Sequence, residues 1–74
     1  MKQRVHVFYS GRAQGIGFRY TAVDLAESLA ITGWVKNLRD GRVEIMAESE
    51  GENLKSFLEK LQERFFGYFR DIHR

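Results

Sequence analysis

Three glycines fall within residues 11–17, a segment that we name the glycine-rich loop. Residues 5–9, directly before it, are rich in β-branched and aromatic side chains, which predicts a strand. Residues 21–31 have apolar side chains at helical spacing, which predicts a helix. Because glycine adopts backbone conformations that other residues avoid, the loop can curl and turn successive N–H groups inward. Together with the positive N-terminal end of the helix, it predicts a binding site for an anion.

Arg19, at the entrance of the predicted helix, supplies a planar cation whose donors suit a phosphate group. The spacing of Gly11, Gly15 and Gly17 differs from the dinucleotide-binding pattern G-x-G-x-x-G. No Lys-Ser or Lys-Thr pair follows at the spacing of a P-loop. Glycines of this kind also occur in flexible surface loops, so the residues alone leave both a phosphate site and a plain loop open.

Three blocks of sequence occur in one order along the chain. They are GRAQGIGFR at residues 11–19, GWVKN at residues 33–37 and DGRVE at residues 40–44. Together they resemble the acylphosphatase family, whose pattern is G-x-V-Q-G-V-x-F-R, G-W-V-x-N and D-G-x-V-E. The resemblance covers residues 5–47. It implies an enzyme that hydrolyses the carboxyl-phosphate bond of acyl phosphates to a carboxylate and inorganic phosphate.

The resemblance also implies roles for individual residues. In acylphosphatases the arginine of the first block and the asparagine of the second form the catalytic pair, and both positions match here, as Arg19 and Asn37. Arg19 would bind the phosphoryl group, and Asn37 would orient the attacking water. The expected phosphate-binding residues are Arg12, Ala13, Gln14, Gly15, Ile16, Gly17 and Arg19. The alternative interpretation is that Arg19 forms a surface ion pair and that Asn37 is a turn residue before the hairpin.

There are two alternatives to the stand-alone enzyme. Acylphosphatases continue through a further C-terminal strand, whereas this sequence stops at residue 74, so the main alternative is a truncated, non-catalytic anion-binding or interaction domain of the same fold. A sheet without its last strand would expose an edge, which predicts self-association. Hydrogenase-maturation carbamoyltransferases begin with a module that shares these motifs. That module has proline after the arginine, where Tyr20 stands here, so the stand-alone enzyme is favoured.

The hydrophobic pattern predicts six elements in the order βαββαβ. They are a strand at residues 4–10, a helix at 19–30, strands at 34–38 and 42–47, a helix from Ser49 to about residue 64, and a strand within 66–74. Asp40-Gly41 between two alternating runs predicts a hairpin, and Ser49-x-x-Glu52 predicts a capping box for the second helix.

Two helices on one face of an antiparallel sheet are the most economical packing of these elements. The prediction is an α+β protein, a ferredoxin-like α/β sandwich in which residues 1–74 form a single domain. Right-handed crossovers would place the first and third strands side by side in the centre of the sheet. Arg19 and Asn37 would then converge at one end of it.

Ala30 stands where acylphosphatases usually carry glycine at the end of the first helix. If the helix closes there in a left-handed turn, alanine should cost about 1 kcal/mol. The alternative is that the helix closes differently, with Gly33 ending the segment.

Composition argues against several other classes of function. The chain has no cysteine, so it can form no disulfide, thiolate nucleophile or cysteine metal site. Its two histidines lack the spacing of a zinc motif, and no metal or cofactor is expected. The net charge of +2 comes from alternating signs rather than a basic stripe, which argues against a nucleic-acid partner. Without an apolar run of membrane-spanning length or a signal-peptide pattern, a cytoplasmic protein is predicted.

Overall fold

The computed structural model describes residues 1–74 and confirms the predicted order of strands and helices. The elements are β1 (Lys2–Gly11), α1 (Phe18–Ser28), β2 (Thr32–Asn37), β3 (Val43–Glu50), α2 (Gly51–Arg64) and β4 (Phe69–His73). The strands form one antiparallel sheet in the order β2-β3-β1-β4, with β1 and β3 in the centre as predicted. This is the ferredoxin-like α+β arrangement.

The alternation of side chains along β1 and β3 creates the buried face of the sheet. Val7 lies opposite Ile45, and Tyr9 lies opposite Val43. Directly opposite residues of antiparallel strands share a face, and all four of these side chains are at most 2% exposed. The helices cover this face, and α2 buries four apolar residues that recur at helical spacing. These residues are Leu54, Phe57, Leu58 and Leu61.

Four aromatic rings hold β4 and the start of α1 together. Tyr9 packs against Phe18 and Phe69 with ring centroids 5.0 and 4.8 Å apart, and Phe65 packs against Phe18 at 5.0 Å. β4 pairs with β1 from Phe69 to His73, so the last strand of the βαββαβ order is present. The other side of β4 is an edge of the sheet.

The predicted capping box at the start of α2 is wrong. Glu50 is the N-cap residue and makes no side-chain capping bond. Ser49 still belongs to β3, is 4% exposed, and donates its hydroxyl to the carbonyl of Ala30 at 3.1 Å. The amide of Asn53 donates to the same hydroxyl at 3.3 Å. Strand alternation buries Ser49, and a buried hydroxyl needs a partner close at hand, which here is a carbonyl at the end of the first helical segment.

The first helix ends in the left-handed turn expected at Ala30. Ala30 is the one non-glycine residue with a positive φ, 55°. The N–H of Ile31 donates to the carbonyl of Ala26 at 2.8 Å, and the N–H of Ala30 donates to the carbonyl of Glu27 at 3.4 Å. These two bonds define a Schellman closure, so the alternative closure at Gly33 is wrong.

The hairpin between β2 and β3 is confirmed at Asp40-Gly41. The N–H of Leu38 donates to the carbonyl of Arg42 at 2.8 Å, and the N–H of Gly41 donates to the carbonyl of Leu38 at 3.1 Å. The Asp40 carboxylate accepts from the backbone N–H of Arg42 at 3.1 Å and from its Nε at 2.7 Å. These bonds, that of the backbone above all, lower the pKa of Asp40. The loop geometry is thus fixed immediately after Asn37.

Neither α1 nor α2 is long and apolar enough to cross a membrane.

Candidate functional site

The glycine-rich loop joins β1 to α1 and is anchored in the core at several points. Ala13 and Phe18 are each 1% exposed, and Ile16 packs against the same core. Between these anchors Gly15 and Gly17 both have a φ of 79°, a left-handed conformation that glycine adopts without strain. Gly17 is the N-cap residue of α1 and provides no side-chain cap. The N–H groups of the first helical turn therefore have no capping side chain as an acceptor.

The backbone donors of the loop are free. None of the N–H groups from Ala13 to Gly17 donates to a backbone carbonyl. A row of unpaired N–H groups that leads into a helix N-terminus is the usual composition of an anion site, since such groups need an acceptor and the helix dipole favours a negative one.

Arg12 departs from the expected phosphate-binding set. Its N–H donates to the carbonyl of Tyr68 at 2.8 Å, so this donor belongs to the contact between β1 and β4. Its guanidinium lies over the Tyr68 ring, 5.9 Å from the centroid. The physical reason is the irregular pairing beside Gly11, where the register of β1 against β4 shifts. The Arg12 N–H therefore already has an acceptor within the protein, unlike the N–H groups from Ala13 to Gly17.

A cavity of about 770 Å³ adjoins the loop and contains both residues of the expected catalytic pair in its lining. Arg19 reaches it from the first turn of α1. Asn37 reaches it from the last position of β2, where it lies opposite the buried Val43 and so on the helix-covered face of the sheet. Neither side chain forms a hydrogen bond or ion pair within the protein. Both are free to bind a ligand.

Five of the seven expected phosphate-binding residues line this cavity and two do not. Those that line it are Ala13, Gln14, Gly15, Gly17 and Arg19. The guanidinium of Arg12 contacts the Tyr68 ring instead, and Ile16 packs into the core.

Gln14 connects the loop to the β2–β3 hairpin through its side chain. Its Nε2 donates to the carbonyl of Leu38 at 2.8 Å and to the carbonyl of Arg42 at 3.0 Å. These two residues close the hairpin directly after Asn37. One amide therefore fixes the glycine-rich loop relative to the strand end that carries Asn37, a contact that no local sequence pattern indicates.

Sequence reasoning also missed several residues of the cavity wall. Tyr20, Val23 and Asp24 line it from α1, and Val35 lines it from β2. Residues four apart share a helix face, so Val23 follows from Arg19, and Asp24 follows from Tyr20. Val35 precedes Asn37 by two positions and so shares its strand face. Arg19 is the one basic side chain in this lining and Asp24 the one carboxylate.

Comparison with known proteins gives concordant matches. A family model described as acylphosphatase matches residues 5–70. An acylphosphatase of Methanospirillum hungatei is 44% identical over 73 residues, which cover 96% of this chain and 80% of that protein. An acylphosphatase of Trichormus variabilis is 64% identical over 45 residues, which cover 61% of this chain.

The crystal structure of an acylphosphatase from Bacillus subtilis superposes with a TM-score of 0.86 at 42% identity, covering 99% of this chain and 81% of that one. The share of the relative that is matched varies. It is 45% of the length of the proteins from Trichormus variabilis and a Nostoc species, and 80% of the Methanospirillum hungatei protein.

Proposed function

The chain belongs to the acylphosphatase family, and we propose that it hydrolyses acyl phosphates to a carboxylate and inorganic phosphate. The observation that carries this proposal is the single cavity lined by the free loop backbone, Arg19 and Asn37. An acyl phosphate is a mixed anhydride whose leaving group is a carboxylate, so departure needs little protonation. Phosphoryl transfer of this kind mainly requires positioning and charge stabilisation, which this cavity can supply without a cofactor.

In this proposal the phosphoryl group occupies the loop. The N–H groups from Ala13 to Gly17 donate to its non-bridging oxygens, and the planar guanidinium of Arg19 binds two of them. Charge spreads over these oxygens in the loose transition state. Donors that are already in position stabilise that charge without reorganising. Arg19 has no carboxylate partner in the protein, so its charge remains available to the phosphoryl group.

Asn37 orients the nucleophile. Its amide carries both a donor and an acceptor, so it can hold a water in line with the phosphorus. The water oxygen forms the new P–O bond, the bond to the acyl oxygen breaks, and that electron pair leaves on the carboxylate. Asparagine is a poor proton acceptor, so the proton of the water passes to a phosphoryl oxygen of the substrate.

Hydrolysis of benzoyl phosphate by the purified chain tests the proposal. We expect turnover that inorganic phosphate inhibits competitively, since the product occupies the same loop. Binding of inorganic phosphate without hydrolysis would instead support the non-catalytic anion-binding alternative. Absence of both activities would contradict the assignment of the loop as a phosphate site.

A cytoplasmic location and self-association remain part of the proposal. Support for self-association comes from β4, an edge strand whose outer backbone groups can pair with another chain. Sedimentation across a range of concentrations measures this directly. A monomer at every concentration would contradict it.

A further inference from the structure

A second cavity lies between α1 and β2, beside the cavity lined by the glycine-rich loop, Arg19 and Asn37, which we name the phosphate cavity. Its volume is about 340 Å³, and ten of its thirteen lining residues are hydrophobic. The cavity exists because α1 presents small side chains here: Ala22 and Ala26 line it from the helix, opposite Gly33 on β2. We name it the apolar cleft.

The apolar cleft adjoins the phosphate cavity. Val23 on α1, and Trp34 and Val35 on β2, line both of them. When the phosphoryl group of a ligand lies in the loop, the cleft is thus the neighbouring apolar space for the rest of that ligand. In an acyl phosphate the only part left to extend is the acyl group.

We infer that the apolar cleft binds the acyl group of the substrate and selects acyl phosphates with an aromatic or branched apolar acyl group that carries no second negative charge. This inference rests on the proposed function. An apolar cavity of roughly 150 Å³ is large enough to bind benzene, so the volume of the cleft accommodates a group of benzoyl size with room to spare.

The charges around the two cavities explain the selection against a second negative charge on the acyl group. Glu27 is the one charged residue that lines the apolar cleft, and Asp24 is the one carboxylate that lines the phosphate cavity. Both would repel a second carboxylate or phosphate on the acyl group. The cleft contains no basic side chain that could bind such a group.

Three substrates test the inference on the unmodified chain: acetyl, benzoyl and succinyl phosphate. For each one, kcat/KM is divided by the rate of uncatalysed hydrolysis. One methylene in an apolar pocket changes kcat/KM by about 10- to 200-fold. We expect benzoyl phosphate to exceed acetyl phosphate by at least about 10-fold on that scale. Succinyl phosphate, which carries a second carboxylate, should do no better than acetyl phosphate.

Ala26→Leu fills the cleft and is the matched variant, because Ala26 lines the cleft but not the phosphate cavity. The expected result is a rise of about 10-fold in KM for benzoyl phosphate and a smaller rise for acetyl phosphate, so that the ratio of their kcat/KM values falls, as for loss of a pocket contact made equally in the ground and transition states. Ser28→Leu places the same side chain at an exposed position of α1 that lines neither cavity. It should leave both substrates unchanged.

The outcomes separate two kinds of failure. Equal corrected values of kcat/KM for acetyl and benzoyl phosphate in the parent would overturn the acyl site and leave the proposed function standing. Equal slowing of both substrates in Ala26→Leu would likewise overturn the acyl site alone. No hydrolysis of any of the three substrates would overturn the proposed function itself. If Ala26→Leu does not fold, the ratio measured on the parent decides.

Discussion

Removing the side-chain amide of Gln14 is predicted to uncouple the glycine-rich loop from the β2–β3 hairpin. Gln14→Met keeps the length of the side chain and adds no charge, but it deletes the Nε2 donor that bonds the carbonyls of Leu38 and Arg42 at 2.8 and 3.0 Å. Asn37 directly precedes this hairpin closure. The substitution therefore frees Asn37 to shift relative to the loop while leaving both in the protein.

The energetic cost follows from what each carbonyl keeps. The Leu38 carbonyl still accepts from the N–H of Gly41, and the Arg42 carbonyl still accepts from the N–H of Leu38. Neither acceptor is left without a partner, so the loss is two ordinary hydrogen bonds, or about 1–2 kcal/mol of unfolding free energy. In a domain of this size that lowers the melting midpoint by roughly 5–15 °C. A displacement of about 1 Å between nucleophile and phosphorus can cost about 100-fold in rate, so kcat should fall by about 10- to 100-fold.

Three measurements below the melting midpoint test this role: the kcat for benzoyl phosphate, the affinity for inorganic phosphate, and a thermal melt. We expect phosphate affinity within about three-fold of the parent, because the loop donors and Arg19 are untouched. Asn53→Ala is the control. It removes a half-buried amide that donates to the Ser49 hydroxyl at 3.3 Å, a hydrogen bond that does not involve the glycine-rich loop. An unchanged kcat in Gln14→Met, or an equal loss of kcat in Asn53→Ala, would refute the positioning role.

Three further substitutions probe the site and the core. Arg19→Lys should nearly abolish hydrolysis and phosphate binding, because lysine loses the planar fork; phosphate affinity equal to that of the parent would contradict this. Asn37→Ala should lower kcat by about 100-fold while calorimetry shows little change in phosphate affinity; a reversed pattern would exchange the two roles. Burial raises the pKa of Tyr9 to about 12, although the Arg74 charge lowers it. Stability should therefore fall as pH rises from about 10, the unfolded pKa, to about 12. Urea melts of Tyr9→Phe at several pH values should lack that part of the fall in unfolding free energy. If the unfolding free energies of the variant and the parent fall in parallel with pH, the effect is excluded.

The features that sequence predicts well here are those encoded by neighbouring residues. Asp40-Gly41 determines the hairpin through turn chemistry alone. The stripe of α2 and the alternation of β1 follow from side-chain period. Ser49 shows the limit, because the same residue fits both a capping box and the buried face of a strand. The strand pattern is the correct one here because β3 continues to Glu50 and the Ala30 carbonyl accepts the Ser49 hydroxyl. Only the tertiary arrangement determines that contact.

The same distinction applies to the site. Arg19 and Asn37 were identified by family motifs, and their convergence follows from strand order. The side-chain bonds of Gln14 depend on where the hairpin lies in space, so the residues around it in sequence do not reveal them. The hydrogen bond from the Arg12 N–H to the Tyr68 carbonyl depends on a register shift of β1 against β4, a strand more than fifty residues away in sequence. Motifs thus identify the groups available for chemistry, and tertiary packing decides which of them are free to bind.

Ala30 carries strain that a single substitution should relieve. Its φ of 55° lies in the left-handed region, which costs a residue with a Cβ roughly 1–2 kcal/mol. Glycine removes that cost, although it gives the unfolded chain back about 0.4–1 kcal/mol of conformational entropy. Because Ala30 is exposed, little buried apolar area is lost with its methyl group. Ala30→Gly should therefore raise the unfolding free energy by about 0.5–1 kcal/mol.

Thermal melts of Ala30→Gly and Ser28→Gly test the strain together. The expected rise for Ala30→Gly is roughly 3–8 °C in the midpoint. Ser28 is the last residue of α1 and lies two positions earlier, where the backbone is helical. Glycine should destabilise that position by about 0.5–1 kcal/mol. Opposite signs at two positions so close in sequence would locate the strain at the left-handed turn, whereas a fall in both midpoints would mean that the Schellman closure holds Ala30 without measurable cost.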